Sequence, residues 1–227
     1  MNAVLMFVRE KGRTPIGLAI LAVIVLTGGV FALRSRDIVP DDQAPEHRLF
    51  VKAKRAISGQ KIKLDNDQEE YLIFAGIRAP VGGEPFYDES TKRSDGLISD
   101  KKIRLRFDEE HRDSEGRLLG YVFVDDTFVN EVLVREGLAY ARLTTASDRF
   151  GQRLLASQAE AQKARRGVWS KRSSGTEKSY TGDAKYGNFH RRPCEEAAKI
   201  PPERLMEFKT DKDALNKGFA PCAKCKP

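Results

Sequence analysis

The sequence predicts an α+β protein, on three observations. Short segments that alternate apolar and polar residues recur between Glu70 and Val124, two helical segments closed by glycine follow them, and a small Cys/His-bearing segment ends the sequence. Strands gathered in one stretch and helices in the next are the pattern of an α+β layer architecture rather than of alternating βαβ units. The 227 residues suffice for one domain of ordinary size and something smaller. The formal charge is +7, and its excess gathers at the end: residues 171–227 hold 13 basic groups against 8 acidic ones. A basic tail favours an acidic partner such as nucleic acid or anionic lipid.

The elements follow in order. Residues 1–14 carry Arg9, Lys11 and Arg13, and residues 15–33 form a run of 19 residues without a charge, long enough to cross the hydrocarbon of a bilayer as a helix. The Lys/Arg bias places the amino-terminal side in the cytoplasm and the bulk of the protein outside the membrane. A cleaved signal peptide is the competing account, since Val30-Phe31-Ala32 offers small residues at the right spacing, but the apolar run exceeds the usual signal core. Residues 34–47, with Pro40, Pro45 and four acidic groups, form a linker.

Residues 48–170 form the main domain. In Lys102-Ile103-Arg104-Leu105-Arg106-Phe107 the apolar residues face one way and Lys102, Arg104 and Arg106 the other, so the strand is half-buried with a basic outer row. That row is either a solvated barrel face or a track for the phosphates of nucleic acid. Glu70–Ile77 and Leu118–Val124 are further strands. Val129–Glu136 is a helix stopped by Gly137, and Asp148–Arg166 is a helix with Phe150, Leu154, Ala161 and Ala164 on one side. Trp169 is expected to plug the barrel's flank. A helix over Tyr87–Ser99 is poorly signalled, because Lys92-Arg93-Ser94-Asp95-Gly96 supplies few apolar residues.

Four segments carry a family resemblance: Arg55–Leu64, Ile73–Val81, Asp113–Val122 and Val129–Ala139. In that order they resemble the staphylococcal nuclease (thermonuclease-like) family, from about Leu49 to Trp169. The resemblance implies a five-stranded barrel of the oligonucleotide-binding type with packed helices, and a calcium-dependent nuclease of DNA and RNA. It also shows what has been replaced. The family's Asp-Gly-Asp-Thr run, with a calcium-ligand Asp, is matched by Ser58-Gly59-Gln60-Lys61, which places Gln60 at the ligand. Its Arg and following Asp-Thr-Pro-Glu, which supply a phosphate contact, two ligands and the general base, are matched by Ile73, Arg78, Ala79, Pro80 and Val81. The second phosphate-binding arginine alone survives, as Arg117.

The chemistry of those replacements is independent of the family. Calcium is held by six to eight oxygens with ample negative charge, so Gln60 and Arg78 put repulsion where attraction is needed, and calcium is not expected to bind. Val81 has no titratable atom to take a proton from water. Glu84, in Val81-Gly82-Gly83-Glu84, is the one candidate for a relocated base, on glycines that place a side chain loosely. Asp65, Asp67, Glu69 and Glu70 read as turn chemistry between strands, without the ligand spacing of a calcium loop.

A polar stretch, residues 171–184, reads as a second linker, and residues 185–227 as a small module. It holds all three cysteines: His190-x3-Cys194 and Cys222-x2-Cys225, the halves 28 positions apart. Two close pairs of N/S donors separated by a loop are what tetrahedral zinc requires; a Cys222–Cys225 disulfide is the competing account. Tyr186–Cys194 and Gly218–Pro227 resemble the metal-binding module of the Ada DNA-repair protein. That module uses four cysteines, one of which accepts a methyl group. Here the first is His190, so the resemblance implies a structural zinc rather than methyl transfer.

Together these expectations describe a membrane-anchored, extracytoplasmic pseudoenzyme of nuclease type with a zinc-stabilised tail, binding nucleic acid or a protein. The alternative is an active calcium-dependent nuclease with groups relocated around Arg117 and Glu84. No small-molecule substrate is evident.

Overall fold

The computed structural model describes residues 48–108, 111–113, 115–144, 149–172 and 175–227. The apolar run 15–33 and the linker before the barrel lie outside these residues. Among the described residues no helix is long and apolar enough to cross a membrane.

Strand β1 (Arg48–Ser58) is long because it serves two neighbours. Its first half pairs with β5 (Lys102–Arg106) and its second half with β2 (Lys61–Leu64), with register shifts between Ala53 and Arg55 and between Ala56 and Ser58. Such irregularities bend a strand and raise its twist, which lets a sheet curl on itself. β3 (Tyr71–Phe74) runs antiparallel to β2, and β6 (Leu118–Val124) antiparallel to β5; a parallel pairing of β3 with β6 closes the five-stranded barrel. Ile62, Leu72, Ile103, Leu105 and Val122 fill its interior and are fully buried. The alternation noted in the sequence therefore describes a closed sheet with one apolar face, as the resemblance implied.

The short strands β4 (Ile77–Arg78) and β8 (Tyr140–Ala141) pair at the rim, and β7 (Thr127–Phe128) extends the sheet beyond β6. Helix α1 (Tyr87–Ile98) forms despite its poor apolar pattern. It packs through small polar groups instead: buried Ser90 donates to the Leu138 carbonyl at 2.8 Å, and Asp95 accepts from the Ala56 amide at 2.8 Å. Helices α2 (Val129–Arg135) and α3 (Gly151–Lys163) match expectation with trimmed ends. In α2 the buried Asn130 accepts from the Val122 amide at 3.0 Å and donates to the Ala75 carbonyl at 2.7 Å, tying the helix to two barrel segments.

Two sequence expectations need correction at the junction with the tail. The polar stretch 171–184 is not wholly a linker, because Tyr180–Asp183 forms strand β9. It is the centre of a four-stranded sheet, ordered β11 (Leu205–Phe208), β9, β10 (Asn188–Arg191), β12 (Ala220–Pro221). Polarity misled here, since Thr181 and Asp183 are buried by sheet pairing although neither is apolar. Secondly, Trp169, on the short helix α4 (Val168–Lys171), does not plug the barrel alone. It meets Tyr140 edge-on at 5.1 Å within a second core that joins Ala161 and Val168 to Phe189, Phe208, Leu215 and Phe219 of the tail.

The described residues from Arg48 onward therefore fold as one unit, and the tail is seated on the barrel. Gln158 of α3 accepts from the Ala141 amide and donates to the Leu215 carbonyl, both at 2.9 Å, bridging β8 and α6 (Asp211–Asn216). The Leu143 amide bonds the Gly218 carbonyl at 2.8 Å. Gly187 (φ 62°) and Gly218 (φ 80°) make the contact possible: a Cβ would stand 2.1 Å from the Leu143 carbonyl oxygen at the first and 2.6 Å from Leu143 Cγ at the second.

Candidate functional site

The barrel rim carries the positions where the resemblance places nuclease chemistry. Gln60 lies in the tight turn between β1 and β2, Ile73 lies on β3, and Arg78 and Ala79 lead from β4 into the Pro80 loop; all but Arg78 line one cleft of about 980 Å³ with Arg117. Arg78 lines an adjoining recess of about 530 Å³ that shares Gln60, Val81 and Arg142 with the cleft. The Gln60 side-chain oxygen accepts from the Ala79 amide at 2.5 Å, so it holds the Pro80 loop rather than a cation. Arg78 meets Glu84 at 2.5 Å with both side chains nearly buried, and the other Glu84 oxygen accepts from the Val81 amide at 3.1 Å. Both oxygens of the one candidate base are thus occupied. Arg117 is held by Asp113 at 2.7 Å and by Glu115 at 2.6 Å.

Asp113 also lines the cleft, but it accepts from the backbone amides of Arg117 and Glu115, each at 3.0 Å. Burial opposes its charge, yet the Arg117 hydrogen bond and those two amides hold its carboxyl below the usual aspartate range. Three of the four carboxylates of the acidic turn are likewise paired: Asp65 with Lys52 at 3.0 Å, Glu69 with Lys63 at 2.9 Å and Glu70 with Arg112 at 3.0 Å. Among the described residues, no group of acidic side chains converges at the rim as a metal site would require.

Arg142, just past β8, was not singled out in the sequence. It is half-buried, lines both the cleft and the adjoining recess, and has a buried Nε without a hydrogen-bond partner. Burial, and then the charge of Arg78 nearby, pull it down to about 10, so it remains a guanidinium near neutrality. No local motif marks it; only the fold brings it to the cleft.

Of the three residues expected to make a basic row on β5, Lys102 is exposed and Arg104 partly so, with its guanidinium 4.8 Å from the Phe123 ring centroid. Arg106 is buried and contributes no exposed charge. Its strand position pairs with both β1 and β6, and the closing of the barrel covers it. None of the three lines the cleft.

The metal set is the clearest match between spacing and space. His190 stands on β10, Cys194 caps α5 (Glu195–Ala198), and Cys222 and Cys225 follow β12; one ligand atom from each lies within 4.8 Å of all the others. Zn–S bonds of about 2.3 Å put tetrahedral ligands roughly 3.8 Å apart, and Cys194 Sγ lies 3.5 Å from His190 Nδ1. All three cysteines are free in this structure, and each contributes a donor to the cluster rather than to a disulfide. Burial keeps the His190 imidazole neutral, against the pull of Asp183 and Glu196. Burial opposes the Cys194 thiolate, but the amides of Glu196 and Ala197 outweigh it and lower the thiol. Cys225 is pushed up to about 12, by burial first and by its cysteine neighbours. Three thiolates together need a cation, and the donor set suits zinc.

A closed five-stranded barrel with helices packed against it and a cleft at its rim fits the oligonucleotide-binding type of fold. Residues 71–171 match the model of the family described as "Staphylococcal nuclease homologue". The chain is 29% identical over 126 residues to a thermonuclease of Staphylococcus hyicus, covering 52% of this chain and 75% of that protein. It is 30% identical over 125 residues to the thermonuclease of Staphylococcus intermedius, at 52% and 74%. Against Endonuclease YncB of Bacillus subtilis (strain 168) the identity is 30% over 155 residues, at 64% and 74%. The chain belongs to the staphylococcal nuclease family.

Proposed function

We propose that this protein binds nucleic acid at its barrel without hydrolysing it, with zinc structuring the tail and residues 15–33 anchoring it so that the bulk lies outside the cytoplasm. What carries the proposal is the self-satisfied rim: Gln60 holds the Ala79 amide, Arg78 neutralises Glu84, and Val81 stands where a base is required. A divalent ion would find no free carboxylate pair there, and an attacking water would find no proton acceptor within reach. Zinc in the tail supplies folding energy, held by His190, Cys194, Cys222 and Cys225; Lys224 donates its amide to Cys222 Sγ at 3.4 Å, which supports one of the ligands.

The test is a plasmid-nicking assay with the full protein, with and without calcium, beside an anisotropy titration of a labelled oligonucleotide. Salt-sensitive binding with no nicking is expected. Calcium-dependent nicking that disappears in Arg117→Ala would establish the relocated nuclease instead.

A further inference from the structure

The cleft at the rim is not the barrel's alone. The tail closes one side of it with Lys185, Tyr186 and Asn188, residues of the turn and strand that follow β9. Most of the charge on its walls is internally paired: Arg204 with Asp183 at 3.1 Å, Arg112 with Glu70, Arg117 with Asp113 and Glu115. Three lining cations are not, and against them stands, among the described residues, one unpaired lining carboxylate, Glu203, which leaves an excess of positive charge. Among the described residues, Lys61 from β2, Arg142 from beyond β8 and Lys185 from the tail have no carboxylate at ion-pair distance.

Three unneutralised cations converging on one concave space, two from the barrel and one from the tail, raise its positive potential and concentrate anions there. Arg142 contributes most to this argument. A guanidinium beside a second guanidinium, with a buried N–H left unbonded, is an unfavourable arrangement unless an anion completes it. Beside these charges stands Tyr186, an aromatic ring still 48% exposed, with the Lys185 ammonium 5.6 Å and the Arg204 guanidinium 5.2 Å from its centroid. An exposed ring next to unpaired cations offers a stacking face for a base and charge for its phosphate.

We propose that this composite cleft binds a nucleoside phosphate, as a free nucleotide or as one residue of a single strand, with phosphate on Arg142, Lys185 and Lys61 and the base on Tyr186. The site rests on the non-hydrolytic reading above but differs from the Arg117 position, because half of it is built by the tail. A barrel stripped of the tail would lack Lys185 and Tyr186, so the seating of the tail on Leu143 becomes part of recognition.

The experiment uses the full, zinc-loaded protein and a labelled single-stranded 20-mer, with thymidine 5′-monophosphate and inorganic phosphate as competitors. Lys185 and Tyr186 are exposed, so Lys185→Glu and Tyr186→Ala test the cleft without threatening the fold. Arg142→Ala and Arg142→Lys complete the set. Each loss of a phosphate cation should weaken binding about tenfold and reduce the salt slope by about 1, Arg142→Lys should recover part of the loss, and Tyr186→Ala should weaken binding about tenfold without changing the slope. Competition by the mononucleotide identifies the free nucleotide as sufficient; competition only by longer strands identifies the strand. Competition by inorganic phosphate as strong as that of the nucleotide would remove the base from the ligand and overturn the assignment. Wild-type affinity in both Lys185→Glu and Arg142→Ala would overturn the cleft while leaving non-hydrolytic binding intact, whereas calcium-dependent nicking would overturn that reading and leave the cleft standing.

Discussion

The barrel rim and the tail's metal set are both clusters of polar side chains, and they differ in what completes them. At the rim the chain answers itself. Gln60 bonds Ala79, Glu84 bonds both Arg78 and Val81, and Asp113 bonds Arg117 in two ways, so these positions are satisfied without any ligand, as Arg142 in the same cleft is not. In the tail, three thiols and an imidazole meet within 4.8 Å, and Lys224, between Cys222 and Cys225 in the chain, is engaged with Glu196 at 2.5 Å. Among the described residues no ion pair offsets the charge these thiols take on when they ligate a metal. The difference teaches that converging polar groups mark a metal site only when the protein leaves their charge uncompensated.

The largest expected effect comes from removing zinc from the proposed tail site. Structural zinc is worth on the order of 10 kcal/mol in small modules of this kind, and the tail's own core is too small to stand without it. Chelation, or Cys222→Ser, should unfold residues 180–227 and uncover the second core. Trp169 is the sole tryptophan of the chain and is 6% exposed in that core, so its emission reports the event directly. A red shift with zinc removed and recovery on its return is expected, with the far-ultraviolet signal of the barrel largely kept. An unshifted Trp169 in metal-free protein would break the contrast, since the tail would then be as self-sufficient as the rim.

That experiment touches residues which differ sharply in how legible they were in the sequence. His190, Cys194, Cys222 and Cys225 were readable because ligation demands particular atoms at short spacings. The barrel strands were readable because a half-buried sheet demands alternation, and Gln60, Arg78 and Val81 could be placed together at the rim by motif spacing. Helix α1 was obscured because it buries Ser90 and Ser94 rather than an apolar stripe. Strand β9 was hidden in a polar stretch, and Arg106 disappears inside through barrel closure that no local pattern records. Arg142 and the shared core around Trp169 are products of docking between distant segments, and docking leaves no periodicity.

A smaller effect should come from the rim's own ion pair. Arg78 and Glu84 have side chains only 7% and 11% exposed, so each compensates a charge that would otherwise be stranded. Arg78→Leu should therefore destabilise the protein by about 3 kcal/mol, mostly through the unpaired Glu84, and Glu84→Leu comparably through the unpaired Arg78, while the two substitutions combined should cost much less than their sum. Urea denaturation of the two singles and the double closes the cycle. Additive losses would mean that the pair is not coupled, and the rim would then be less complete than its hydrogen bonds suggest.

The smallest effect is a pH dependence at Asp113, and its sign follows from the lowered carboxyl. A group whose folded value lies below its unfolded one stabilises the fold fully above the ordinary aspartate range, and that contribution is lost as pH falls through the folded value. The partner Arg117 is 32% exposed, so the contribution should be under about 1 kcal/mol. In Asp113→Asn the acid limb of a stability profile should flatten below pH about 4 relative to wild type, with no change near neutrality beyond a constant offset. Removing the carboxylate also frees one side of Arg117 inside the cleft. If the rim is inert because its charges are mutually satisfied, Asp113→Asn should strengthen oligonucleotide binding slightly; weaker binding would show that Asp113 holds Arg117 in a pose the ligand uses, and the rim would then share with the metal set the property of waiting for a partner.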